Sequence, residues 1–257
     1  MKSPDILALD FDGVICDGRR EYFRSGWLTY CQVWSPSNFT PPIGLSDRYL
    51  HLAPVIEVDV DVPLLVRALM LDLREEQILQ NWYEIKTKIL EQDQIHKETL
   101  NTEFARLRDE WLTQDFDNWM SYQPFYPGVK ERLEQFLASS VKLVIITNRL
   151  QRFALKLLEA EGITLPAEQV FGKQGERPKY QVIQSLLAEK EQTIWFVEDH
   201  VRALYLIEQQ SDLKDVSLFI ANWGFNTHTV RQKIRSSDTR IKIISLEQFK
   251  QDFTAWV

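Results

Sequence analysis

Four consecutive apolar residues, Ile6-Leu7-Ala8-Leu9, run straight into Asp10-Phe11-Asp12-Gly13. A strand with one wet face alternates apolar and polar side chains. An unbroken apolar run that ends in a polar turn instead reads as a strand buried on both faces, as in a parallel sheet covered by helices. The same pattern recurs at residues 141–146 before Thr147-Asn148, at 193–197 before Glu198-Asp199, at 216–220 before Ala221-Asn222, and at 241–244. Helical periodicity fills the intervals 128–138, 150–160 and 180–188. Strands alternating with helices of this length predict right-handed crossovers and an α/β fold, an open parallel sheet flanked by helices. Ligands of such sheets bind beyond the carboxyl ends of the strands, where the chemically capable residues of this chain fall.

Residues 17–123 differ in character. A stretch rich in Pro and aromatics, 34–54, precedes long helical patterns. Ile78, Leu79, Trp82, Ile85 and Ile89 share one helix face, and Leu100, Phe104, Leu107 and Trp111 another. The expected organisation is a core of residues 1–16 and 124–257 interrupted by a mainly α-helical insertion, 17–123. The chain has 257 residues, which suits a core with an accessory domain.

Composition narrows the function. A net charge of −7 argues against a broad nucleic-acid-binding face, while leaving room for a local phosphate pocket. Two cysteines, Cys16 and Cys31, with no His or Cys at metal-ligand spacing, read as free thiols in a reducing compartment. The apolar run at 6–9 is too short for a signal-peptide core, and no segment reaches membrane-spanning length without charges. A cytoplasmic protein without membrane or nucleic-acid partners is expected.

Four short motifs carry chemistry. Asp10 and Asp12 leave a buried strand together, and carboxylates so close repel unless a cation or proton relieves them. A hard cation such as Mg²⁺ would do so and would also bind phosphate oxygens. Gly13 then permits a sharp turn. The hydroxyl of Thr147 can donate to a phosphate oxygen, with the amides near Asn148 assisting at a helix start; a plain helix cap is the competing reading. Lys179 follows Pro178 at a helix start, where a cation makes sense if an anion shares the site; Lys173 is its rival. Glu198-Asp199 ends a very apolar strand and is placed for metal ligation or its outer shell.

In this order, Asp-x-Asp, Thr-Asn, Lys and Glu-Asp resemble the haloacid dehalogenase superfamily, over residues 1–16 and about 124–257. The resemblance implies a Rossmann-like parallel sheet and a phosphohydrolase acting through an aspartyl-phosphate on a small phosphorylated metabolite. It makes Asp10 the nucleophile and Asp12 the general acid/base. Thr147, Asn148 and Lys179 would hold the phosphoryl group. Asp199 would complete a Mg²⁺ site with Asp10 and the backbone carbonyl of Asp12, with Glu198 as a further acidic member whose role stays open. No second acid follows Asp199 where Ala203 and Leu204 stand, a departure from the family pattern. The helical insertion resembles the family's cap. The Pro178-Lys179, Phe196-Val197-Glu198-Asp199 and 222–227 segments also resemble a plant and cyanobacterial group within the superfamily.

Asp12 favours phosphoester hydrolysis over dehalogenation, because phosphoryl transfer needs an acid for the leaving oxygen and a base for water. The alternatives are a phosphate-binding or regulatory protein with little turnover, a phosphomutase, and a phosphonatase using Lys86, Lys88 or Lys97 as a Schiff-base lysine. Trp27, Tyr30, Trp34 and Tyr49 are candidate leaving-group contacts.

Overall fold

The computed structural model of the protein describes residues 3–173, 177–189 and 192–256. The apolar runs form the strands β1 (Ile6–Leu9), β2 (Lys142–Ile146), β4 (Ile194–Glu198), β5 (Ser217–Ala221) and β6 (Ile241–Ile244). A sixth, β3 (Val170–Phe171), has only two residues and was not among the expected strands. All pair in parallel in the order β3-β2-β1-β4-β5-β6. The chain therefore builds outward from β1 in both directions, and the ends of β1, β2 and β4 surround the point where the strand order reverses. That is the ligand-binding crevice of such sheets.

The chain separates into two compact units, Met1–Asp17 with Phe125–Val257, and Gly18–Pro124. Among its described residues the second unit's regular elements are all helical, chiefly α1 (Arg19–Trp34), α2 (Leu45–Leu52), α3 (Asp61–Met70), α4 (Glu75–Gln92), α5 (Lys97–Gln114) and α6 (Phe116–Ser121), joined by loops. Its α1 and α3 approach closely at Gly26, where a Cβ would lie 2.9 Å from Val62 Cγ1. Buried and half-buried ion pairs fasten these helices. Glu21 receives both arms of the Arg108 fork at 2.8 Å, Lys86 sits 2.9 Å from Asp61, and Arg67 and the Trp34 indole meet Asp93 at 2.8 and 2.7 Å. Trp27, Tyr30 and Tyr49 are buried in this unit's core, and the partly buried Trp34 donates its indole N–H to Asp93. Lys86 is likewise held by Asp61.

In the sheet unit the helices are α7 (Val129–Leu137), α8 (Gln151–Ala160), α9 (Lys179–Glu189), α10 (Val201–Glu208), α11 (His228–Ser236) and α12 (Leu246–Phe249). Thr227 caps α11 through the Val230 amide, and Ser245 with Gln248 forms a capping box on α12. One face of the sheet, including Ile6, Ala8, Phe196 and Ile220, packs on Val182, Ile183 and Leu186 of α9 and Leu204 and Ile207 of α10. Trp195 and Phe219, out of phase with that set, join an aromatic cluster with Phe249, Phe253 and Trp256, ring centroids 5.1–5.8 Å apart. With both faces covered, β1 is entirely buried, and truncating Leu7 to Ala would cost about 2–5 kcal/mol. Such a sheet is a rigid base for the loops at its carboxyl ends.

Candidate active site

The site begins where β1 stops. The Asp10 amide still donates to Val197 O at 2.9 Å, so its backbone belongs to the sheet while its side chain leaves it. The chain then turns back at once. Gly13 at φ +83° lets its amide reach Cys16 O, and the amides of Ile15 and Cys16 both donate to Phe11 O, each at 2.9 Å. A Cβ on Gly13 would fall 1.8 Å from Asp199 Oδ2. The glycine is therefore required for its φ and for the close approach of the Asp199 carboxylate.

Asp10, Glu198 and Asp199 are buried, and each offers an oxygen within 4.8 Å of the others. Lys179, the first residue of α9, inserts its ammonium 2.7 Å from Asp10 Oδ1 and 2.6 Å from Glu198 Oε2. Lys173 is exposed and lines the same cavity, of about 260 Å³, together with Thr147, Asn148 and Lys179. Of the two lysines, Lys179 is the one that meets Asp10. Thr147 is buried at the end of β2, its amide bonded to Phe171 O at 2.9 Å, and its Oγ1 accepts from the Arg149 amide at 3.1 Å. That bond leaves the hydroxyl proton free to donate to an anion. Asn148 is exposed at the cavity wall.

The two acids ending β4 divide their work. Glu198 Oε1 accepts from the amides of Asp199 and His200 at 3.2 and 3.0 Å, while Oε2 takes Lys179. Its carboxylate is thus occupied in aiming the lysine. Asp199 Oδ2 accepts the Phe225 amide at 2.6 Å, and its backbone carbonyl accepts Asn226 Nδ2 at 3.1 Å. Asp199 Oδ1 is buried without a hydrogen-bond partner.

Asp12 stands outside that trio. Its carboxylate is gripped by Arg149, Nε to Oδ2 at 3.1 Å and Nη2 to Oδ1 at 2.5 Å. Neither Arg149 nor the Phe225–Asn226 contacts were expected. A cation two residues beyond a phosphate-binding hydroxyl was the available signal for Arg149.

Charge in this pocket is unbalanced. Burial, reinforced by Glu198, pushes the Asp10 carboxyl up to about 8 even though Lys179 pulls the other way. Burial also raises Asp199, and Asp10 adds to the effect. For Lys179 burial alone would lower the value, but Asp10 and Glu198 outweigh it and hold the ammonium above its ordinary range. Three buried carboxylates face one buried ammonium, and a carboxylate oxygen stands unpartnered among them. A divalent cation would satisfy both deficits, and all-oxygen donors suit Mg²⁺. The residues present therefore fit such an ion, with Asp10 and Asp199 as its available carboxylates.

The model of the haloacid dehalogenase-like hydrolases matches residues 4–203. The chain belongs to that family of hydrolases. Solved structures agree on the fold. A protein from Lactobacillus delbrueckii subsp. bulgaricus designated a phosphoglycolate phosphatase is 15% identical, with a TM-score of 0.58 over 97% of this chain and 98% of that one. One from Clostridium difficile designated a phosphatase is 14% identical, TM-score 0.59, over 97% and 98%. The Protein Tyrosine Kinase A of Mycobacterium tuberculosis is 14% identical, TM-score 0.60, over the full length of both. At such identities these likenesses concern architecture. No curated protein matches the chain. Among the described residues no helix is long and apolar enough to cross a membrane.

Proposed function

We propose that the protein is a Mg²⁺-dependent phosphatase of small phosphorylated metabolites that works through a phosphorylated Asp10. The observation that carries this reading is the Asp10 carboxylate, fixed at the end of β1 with Lys179 at 2.7 Å, inside a buried acidic trio. An anion such as a phosphoryl group brings more negative charge, which Lys179 and the Thr147 hydroxyl are placed to receive. Asp10 and Asp199 would hold the Mg²⁺, with the carbonyl of Asp12 as the family resemblance implies; the ion would screen charge on the phosphoryl oxygens.

Asp10 attacks phosphorus, and the bond to the ester oxygen breaks as Asp12 supplies the proton that oxygen needs. Asp12, now a carboxylate, takes a proton from water. The resulting hydroxide attacks the acyl phosphate, freeing Asp10 and inorganic phosphate. Two moderate steps replace one hard displacement. Glu198 takes no part in bond making: it holds Lys179. The designation of structural neighbours as phosphatases supports the same reaction class. The helical unit, inserted after Asp17, takes the role of the family's cap.

The test is phosphate release from a panel of phosphorylated metabolites, with Asp10→Asn as the blank. Release that needs Mg²⁺, stops with EDTA and vanishes in the variant is expected. A protein silent on the whole panel, or equally active as Asp10→Asn, would refute the reading.

A further inference from the structure

Arg149 has no assigned part in this chemistry, yet it is among the most constrained side chains near the site. Its backbone is pinned from three directions. The Arg149 amide donates to Thr147 Oγ1 at 3.1 Å, its carbonyl accepts from the Lys173 amide at 2.8 Å, and Gly172 packs so closely that a Cβ there would lie 2.8 Å from Arg149 O. The guanidinium carbon rides 5.6 Å from the ring centroid of Phe11, the residue between the two motif aspartates. Phe11 is itself fully buried and meets Phe125 edge to face at 5.9 Å. From this shelf the fork grips both oxygens of Asp12, with the Arg149 side chain 5% exposed and that of Asp12 20% exposed.

An exposed Arg–Asp pair would be worth little, but this one is buried on the arginine side and planar on both. A carboxylate offers about four lone-pair sites, and the fork needs two. The grip sets the plane and rotamer of that carboxylate. Proton transfer in a transition state tolerates little misplacement. Building on the phosphatase reading above, we infer that Arg149 is a positioning residue: it holds the Asp12 carboxylate in the orientation in which Asp12 moves protons, and it does not itself bind the phosphoryl group. Lysine would keep the charge but lose the two-pronged grip.

The two half-reactions separate this from other roles. p-Nitrophenolate leaves Asp10-bound phosphorus without needing a proton, whereas hydrolysis of the phosphoenzyme needs Asp12 as base. Stopped-flow with p-nitrophenyl phosphate and Mg²⁺ reads the first as a burst and the second as the steady state. For Arg149→Met the burst rate should stay within about threefold of the parent, while the steady-state rate falls by about ten- to a hundredfold, part of the range general acid–base catalysis contributes. Arg149→Lys should recover less than half of that loss. In an Asp12→Ala background, Arg149→Met should add no further loss, since the two act as one unit. Inhibition by inorganic phosphate should be unchanged. If burst and steady state fall together and phosphate inhibition weakens, Arg149 binds the phosphoryl group and the inference is wrong. An unchanged steady state, or losses that add in the double variant, overturns it equally. Should Arg149→Met not fold, the Arg149→Lys and Arg149→Gln partitions decide by the same criterion. A parent enzyme that forms no phosphoenzyme overturns both this inference and the reading beneath it; a parent with normal turnover and an unpartitioned variant overturns this inference alone.

Discussion

The two units treat buried charge in opposite ways. In the helical unit every buried carboxylate of α1 and α3 has its own cation: Glu21 has Arg108 and Asp61 has Lys86. The half-buried Asp93 has Arg67 in the same fashion. In the sheet unit the ammonium of Lys179 meets both Asp10 and Glu198 of the buried trio, and Asp199 Oδ1 has no hydrogen-bond partner. Burying charge is costly unless it is matched. A one-to-one match is a fastening; an uncompensated cluster persists only when something else completes it. The mismatch is where the proposed cation and phosphoryl group would bind, whereas the helical unit's matched pairs need nothing further.

That contrast can be broken at several points. The largest effect expected is on turnover: Asp10→Asn should lower kcat by on the order of a thousandfold or more while leaving the fold intact by circular dichroism. Next, Glu21→Ala strands Arg108 and removes the acceptor of Ser25 Oγ, and should destabilise by about 3–5 kcal/mol in urea denaturation without any change in metal response. Asp199→Asn should do the reverse, removing the thermal stabilisation by Mg²⁺ while lowering the metal-free melting temperature little.

A pH dependence follows from Asp10. Burial and Glu198 push its folded carboxyl up to about 8 from an ordinary 3.8. Between these values the folded metal-free protein binds the extra proton, so stability falls as pH rises from about 4 to about 8. A Mg²⁺ bound at Asp10, as proposed, would compete with that proton. The rise in Tm on adding Mg²⁺ should therefore be larger at pH 8 than at pH 5.5, and equal rises would refute the charge imbalance. The smallest effect belongs to the surface: Arg106, paired with Glu103 and Glu110 across exposed turns of α5, should be replaceable by Gln with no measurable shift in Tm.

Much of the fold was legible because burial on both faces leaves a local trace. β1, β2, β4, β5 and β6 each appear as apolar runs ending in polar residues. β3 left none, since two residues such as Val170 and Phe171 make no run and acquire strand geometry only from β2. In the site, identity was more legible than direction. Asp10, Asp12, Thr147, Lys179, Glu198 and Asp199 all stand out by type and order, but whether an acid faces a metal, a lysine or an arginine depends on distant neighbours. Glu198 turns to Lys179 and to the start of α10, and Asp12 turns to Arg149. Arg149 itself reads locally as a residue before a helix; its aim comes from Phe11 and Gly172, far along the chain. The approach of Phe225 to Asp199 is likewise a loop-to-strand contact with no local signature.

The most direct measurement is covalent. The protein would be mixed with Mg²⁺ and a turned-over phosphoester, quenched in acid within milliseconds, and digested for mass spectrometry. One phosphoryl group on the peptide carrying Asp10, located on Asp10 by fragmentation, more abundant in Asp12→Ala and absent from Asp10→Asn, is the expected result. Phosphate release with no adduct at any time, or an adduct on another residue that survives Asp10→Asn, would contradict it.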